Sequence, residues 1–101
     1  MNEPVEVKQV IVMRVKYPNS SGGTKTIGKG KMIAQGAHAS MSFMTRRMQE
    51  MVIPVWTKPE LDWMSGIFAK IVCKVQTEDD LMAVYNEAKE AGLEVHLITD
   101  A

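Results

Sequence analysis

Two short apolar runs constrain this chain more than any other feature. Val10, Ile11, Val12, Met13 and Val15 make the first, and Ile71, Val72 and Val75 centre the second. Runs of this length without polar alternation read as strands covered on both faces, as in parallel sheets. The stretch from Lys31 to about Glu50 is rich in Ala, Met and Gln and holds no proline, so it reads as a long helix. After the second strand, Thr77-Glu-Asp-Asp80 forms a capping-box-like start, and its three acids suit a helix N-terminus. Leu81, Val84, Tyr85 and Ala88 give that helix its apolar stripe, and Gly92 is its expected left-handed cap. Residues 93 to 99 read as a third strand. Between the first helix and the second strand, Pro54 and Pro59 break the chain, with a short helix expected from Lys58. Residues 17 to 30 read as a loop, since Pro18, Asn19, Ser20, Ser21, Gly22 and Gly23 do not hold regular structure cheaply. The expected architecture is α/β, three-layer, with a mostly parallel or mixed sheet flanked by helices. Residues 1 to 7 read as a tail and 8 to 101 as a single domain.

Length and composition narrow the class. A chain of 101 residues that is 46% hydrophobic and 24% charged fits one globular domain. Nowhere do about 18 apolar residues run without a charge, so no membrane span or membrane partner is expected. Met1 to Glu6 carries two acids and no basic, apolar leader, so secretion is not expected. The single cysteine, Cys73, has no internal partner, and the expected home is a reducing cytoplasm.

The net charge is zero, but its distribution is not even. From Val7 to Gln49 there are eight bases and no acid; from Glu78 to Ala101 there are seven acids and one base, Lys89. An anionic partner such as a phosphate backbone suits the first block. Two solvated halves that attract each other explain the same pattern.

Helical spacing gathers a polar group within the first block. With Lys31 at 0°, Gln35, His38 and Ser42 fall within about 60° of arc at 100° per residue. Ile33, Ala37, Met41, Met44 and Met48 lie on another face, read as the core side. Lysine donates only, glutamine donates and accepts, and histidine titrates near neutrality, so the stripe suits an anionic or ester substrate. An ordinary wet helix face has the same appearance. The lead-in Lys29-Gly-Lys31 adds an anion-favouring N-terminus, although Gly28-Lys-Gly-Lys31 lacks the length and the Lys-Ser/Thr end of a P-loop.

Other constellations are bland. His38, His96 and Cys73 have no metal-ligand spacing, so no metal is expected. His96 reads as a packed or surface residue of the third strand. There is no Gly-x-Ser-x-Gly elbow. Cys73 reads as an inert core thiol, and the nine methionines as packing. Trp56 and Trp63 read as anchors of the proline-broken segment, with base stacking as the other use.

The string Gly28-Lys-Gly-Lys-Met-Ile-Ala-Gln-Gly-Ala-His-Ala39 resembles the signature helix of the type-2 peptidyl-tRNA hydrolases, the archaeal and eukaryotic class. Lys8-Gln-Val-Ile-Val-Met-Arg14 is similar to that family's first strand, and Lys70-Ile-Val-Cys-Lys-Val75 to its second. Glu87-Ala-Lys-Glu-Ala-Gly-Leu93 is similar to the end of its second helix, and Leu97-Ile-Thr-Asp-Ala101 to the strand before its Asp-Ala-Gly turn. The resemblance covers nearly all of residues 8 to 101.

It implies metal-independent, cofactor-free hydrolysis of the ester joining a peptide to the terminal ribose of tRNA. It places Lys31, Gln35, His38 and Asp100 on the family's polar active-site positions, and Lys74 on a strand lysine that holds the site or the RNA. On this reading Lys31, His38 and Asp100 are the catalytic candidates. Gln35, Lys29, Lys74, Arg46 and Arg47 are the substrate-binding ones, and tRNA is the partner.

Two departures from the pattern stand out. The family continues past the turn with a threonine-containing loop and one more strand, whereas this sequence stops at Ala101. An open sheet edge would result, and a homodimer through strand pairing is one outcome. The stretch from Tyr17 to Ile27 is longer than the family's short turn and borders the expected site. A non-catalytic tRNA- or protein-binding module on the same fold is the alternative function. A fragment that does not fold is the third reading, which a cooperative melt would reject.

Overall fold

The computed structural model describes residues 6–99. Seven elements follow in order: β1 (Gln9–Arg14), β2 (Lys16–Pro18), β3 (Thr24–Thr26), α1 (Lys29–Glu50), α2 (Lys58–Ser65), β4 (Lys70–Val75) and α3 (Glu78–Glu90). β1 and β4 pair in parallel from Gln9 opposite Lys70 to Arg14 opposite Val75. β2 and β3 form a small antiparallel pair. The fold is α/β, with helices flanking the sheet as expected.

The alternation of β1 determines what covers it. Its odd-numbered side chains Ile11 and Met13 are buried. Gln9 donates through Nε2 to the carbonyl of Ser40 (2.8 Å), and the Ser40 hydroxyl donates back to Gln9 Oε1 (2.6 Å). A Cβ on Gly36 would stand 3.8 Å from Met13 Sδ, so α1 lies close against the strand. On the even side, Arg14 reaches Glu78 at the start of α3 (3.8 Å). Both caps of α3 form as read. The Thr77 hydroxyl accepts from Asp80 N, Asp80 accepts from Thr77 N, and Gly92 turns at φ +79°. The short helix α2 has a full capping box of its own, Thr57 with Glu60, spanning Pro59 in the first turn.

Four expectations are corrected. The apolar face of α1 does not form its core side: Ile33 is 73% exposed, Met48 is 61% exposed, and Ala37 and Met41 are exposed too. The inward face instead carries Gly36, Ala39, Ser40, Ser42 and Phe43. Small residues allow the helix axis to approach the strand, and that gain outweighs the apolarity of the methionine face. Residues 93 to 99 form no sheet ladder. Among the described residues, β1 is paired along one edge only. An open cavity of about 860 Å³ is lined by the whole of β1 and by residues 93 to 99, among others. Residues 17 to 30 are not all loop, because they contain the β2–β3 hairpin. Cys73 is exposed rather than buried, because no described residue covers that part of β4.

Trp63, 4% exposed, anchors the segment after α1. It donates through Nε1 to Ala69 O (2.7 Å), and its ring lies 5.8 Å from that of Phe43 and 4.2 Å from that of Phe68. The turn into β4 depends on Gly66, where a Cβ would come within 2.7 Å of the Asp62 carbonyl oxygen. Gly66→Ala is expected to lower stability by about 1–3 kcal/mol, because the added methyl overlaps the Asp62 carbonyl oxygen and the turn must shift. A thermal melt checks this, and an unchanged Tm would show that the turn relaxes freely.

Candidate active site

The first turn of α1 is the most basic part of the region. Lys29 and Lys31 are both exposed there, and Gly28 precedes them in extended conformation without a side-chain cap. The hairpin stands beside this turn. Tyr17, Pro18, Lys25 and Ile27 line an open cavity of about 370 Å³ together with Lys31. One turn on, Gln35 is half-buried and lines the large cavity along β1. Thr99 lines that same cavity. His38 is exposed on α1. Ser42 is buried and donates its hydroxyl to Ala39 O (3.1 Å). The polar stripe therefore divides: Gln35 and Ser42 turn towards the sheet, while Lys31 and His38 face solvent.

Asp100 lies outside the described residues. The segment leading to it is nevertheless well held. Arg46 donates to Leu97 O (2.9 Å) and sits 3.0 Å from His96 Nδ1, while His96 Nε2 lies 3.2 Å from Glu94. With Arg46 donating to Nδ1, the His96 proton belongs on Nε2, where it faces the Glu94 carboxylate. Arg47 bonds Glu94 (3.0 Å), Val55 O (3.4 Å) and Glu60. Its guanidinium also lies over the Trp56 ring, 5.3 Å from the centroid. The two arginines thus tie α1 to residues 94 to 97 and to the base of α2. Lys74 is exposed on β4, opposite Met13.

Sequence reasoning overlooked Tyr17 and Lys25, which line the small cavity with Lys31. The signal was present: three-residue runs on either side of a five-residue Asn-Ser-Ser-Gly-Gly turn make a hairpin pattern.

A model of the family described as "Peptidyl-tRNA hydrolase PTH2" matches residues 7–101 of the chain. The chain belongs to the PTH2 family. Relatives agree. The peptidyl-tRNA hydrolase of Methanocaldococcus jannaschii is 33% identical over 96 residues, covering 94% of this chain and 71% of that protein. That of Sulfolobus acidocaldarius is 37% identical over 75 residues, covering 74% of this chain and 62% of that protein. The mouse protein named peptidyl-tRNA hydrolase 2, mitochondrial, is 32% identical across the whole chain, which spans 49% of its length. No solved structure matches the chain significantly. Residues 28 to 39, within that match, run from the N-cap Gly28 through the first three turns of α1, where Lys31 lines the smaller cavity and Gln35 and Ala39 the larger one.

Proposed function

We propose that this chain hydrolyses the ester of peptidyl-tRNA and releases peptide and free tRNA. The observation that carries the reading is the PTH2 match across residues 7–101, with the signature turn holding Lys31 at the mouth of a cavity. In this reading a water attacks the ester carbonyl carbon, and the carbonyl π electrons move onto its oxygen. The Lys31 ammonium donates to that oxyanion. Asp100 accepts the proton from the attacking water. The C–O bond to the ribose then breaks, Asp100 gives its proton to the leaving ribose oxygen, and the peptide acid loses the second water proton to solvent and leaves as a carboxylate. His38 and Gln35 position the water and the terminal ribose. Lys29 and Lys74 contact phosphates, which positions the RNA without reading its sequence. Arg46 and Arg47 support the site by fixing residues 94 to 97, the approach to Asp100. No helix among the described residues is long and apolar enough to cross a membrane. A cytoplasmic location belongs to the same proposal, because a lone exposed thiol suits a reducing compartment.

The test is release of N-acetylated amino acid from its tRNA ester at graded salt. Two phosphate contacts alone give about a tenfold fall in kcat/KM between about 50 and 200 mM salt. A salt-independent kcat/KM would remove the basic block from substrate binding. Salt-sensitive tRNA binding with no release at any salt would favour the non-catalytic module.

A further inference from the structure

We propose that the β2–β3 hairpin and the first turn of α1 form a subsite for one nucleotide of the RNA substrate, with the base on Tyr17 and the phosphate on Lys25. The inference rests on the hydrolase reading for its biological substrate, but not for its binding chemistry.

The lining of the cavity points to such a ligand. Tyr17, Pro18 and Ile27 supply an apolar wall, Lys25 and Lys31 supply cations, and no lining residue is acidic. A flat aromatic group that carries an anion meets both halves of that surface. The volume of about 370 Å³ is at the small end for ligand sites, in keeping with one nucleotide rather than several. Tyr17 and Lys25 are direct partners in the hairpin register, so their side chains stand side by side on one face. An aromatic ring beside a cation is the combination that single-stranded nucleic acid sites use.

The pair is also preorganised. The Asn19 side chain accepts from the amides of Ser21 (3.1 Å) and Gly23 (2.8 Å), and Asn19 N donates to Gly23 O (2.9 Å). Gly22 supplies the positive φ of +87° that the turn needs. Lys16 Nζ donates to Thr26 Oγ1 (2.6 Å) across the strands. Arg14 lies over the Tyr17 ring, 4.3 Å from its centroid, and donates to Lys16 O (2.7 Å), so it fixes the ring plane from the β1 side. Little ordering is left for the ligand to impose.

The subsite sits next to Lys31, which places the bound nucleotide adjacent to the ester. The hairpin would then add affinity for the RNA end without touching the reacting atoms. Its variants should move KM and leave kcat alone.

The experiment titrates adenosine 5′-monophosphate into the isotope-labelled chain and follows backbone amide shifts. Saturable shifts are expected at Lys25, Thr26, Ile27 and Gly28. Deacylated tRNA should reverse them by competition. Tyr17→Ala should weaken binding about tenfold, the scale of one lost base stack. Tyr17→Phe should bind like the parent, which separates loss of the ring from collapse of the hairpin. In hydrolysis assays Tyr17→Ala and Lys25→Ala should raise KM several-fold with kcat within about twofold of the parent.

Three binding results would overturn the subsite. One is no shift at the hairpin. Another is equal shifts with inorganic phosphate alone, which would remove the base. The last is nucleotide binding that tRNA does not displace. Nucleotide binding at the hairpin in a chain that hydrolyses nothing would sink the hydrolase reading and leave the subsite standing. Hydrolysis with unchanged KM in both variants would do the reverse.

Discussion

Replacing Lys31 by alanine is expected to cut kcat for ester hydrolysis by about 100- to 1000-fold, the usual consequence of removing one donor to a developing oxyanion. Stability should hardly move. Lys31 is exposed in the first turn of α1, and surface changes of that kind stay within about 0.5 kcal/mol. A melt within a few degrees of the parent, together with the loss of kcat, separates a chemical role from a structural one. Lys31→Arg keeps the charge but moves it, so it should recover binding more fully than turnover. A Lys31→Ala chain that turns over like the parent would remove this residue from the mechanism and return the first-turn lysines to an ordinary solvated face.

The largest stability effect is expected at Glu60, the best-buried carboxylate among the described residues. Burial alone would push its carboxyl upwards. Hydrogen bonds from Arg47 and from the backbone and hydroxyl of Thr57 overcome that and hold it below the usual range. The same pairing raises Arg47. Glu60→Ala removes a capping-box partner and leaves Arg47, itself little exposed, with Glu94 as its remaining acid. Losing one partner of such a pair costs about 3 kcal/mol. In a domain of this size that lowers Tm by about 15 °C. Glu60→Gln keeps the cap geometry and should cost less. Glu94→Gln removes only the more exposed arm and should cost under about 1 kcal/mol.

The pH dependence has a definite sign. A carboxyl depressed in the folded state stabilises fully above its unfolded value of about 4.3 and loses that contribution as pH falls through the folded value. The parent should therefore lose stability below about pH 4 more steeply than Glu60→Gln. Parallel acid unfolding curves for the two chains would show that Glu60 is not held in its charged form by the fold.

Much of the architecture was legible because it depends on local chemistry. Continuous apolar runs marked β1 and β4, and Thr77 with Asp80 marked the start of α3. These signals involve neighbours within four residues and do not need the rest of the molecule. The face of α1 was misread because apolarity is a weaker guide than closeness of approach. Gly36, Ala39 and Ser40 let the helix settle on Met13 and Gln9, while Met41 and Met48 remain outside and Met44 is half-buried. Residues 93 to 99 were misread for a different reason. Leu93, Val95 and Leu97 alternate as a strand does, but a strand exists only when its backbone meets another, and here a cavity lies along β1 instead. The exposure of Cys73 has the same origin, a sheet of two strands where a wider one was expected.

In the candidate site, the sequence pattern located the helix positions but not the wall opposite them. Lys31 and His38, which helical spacing puts in one group, both face solvent. Gln35 leaves that group and turns inwards, because it sits at the edge of the face that meets the sheet. Arg46 and Arg47 read as substrate-binding cations of the basic block. Their acidic and carbonyl partners lie about 10 to 50 residues away in sequence, at Glu60, Glu94 and Leu97, so no local pattern announces them. The hairpin that completes the cavity was hidden by its turn residues, which read as loop when the short flanking strands were not paired.

The most direct test of the central claim is a turnover count on N-acetylaminoacyl-tRNA with this chain at substrate excess. Release of many moles of N-acetylamino acid per mole of chain, at a rate proportional to chain concentration, is the expected result. No release above the uncatalysed rate by a chain that melts cooperatively would contradict it and leave a PTH2 fold that binds without hydrolysing.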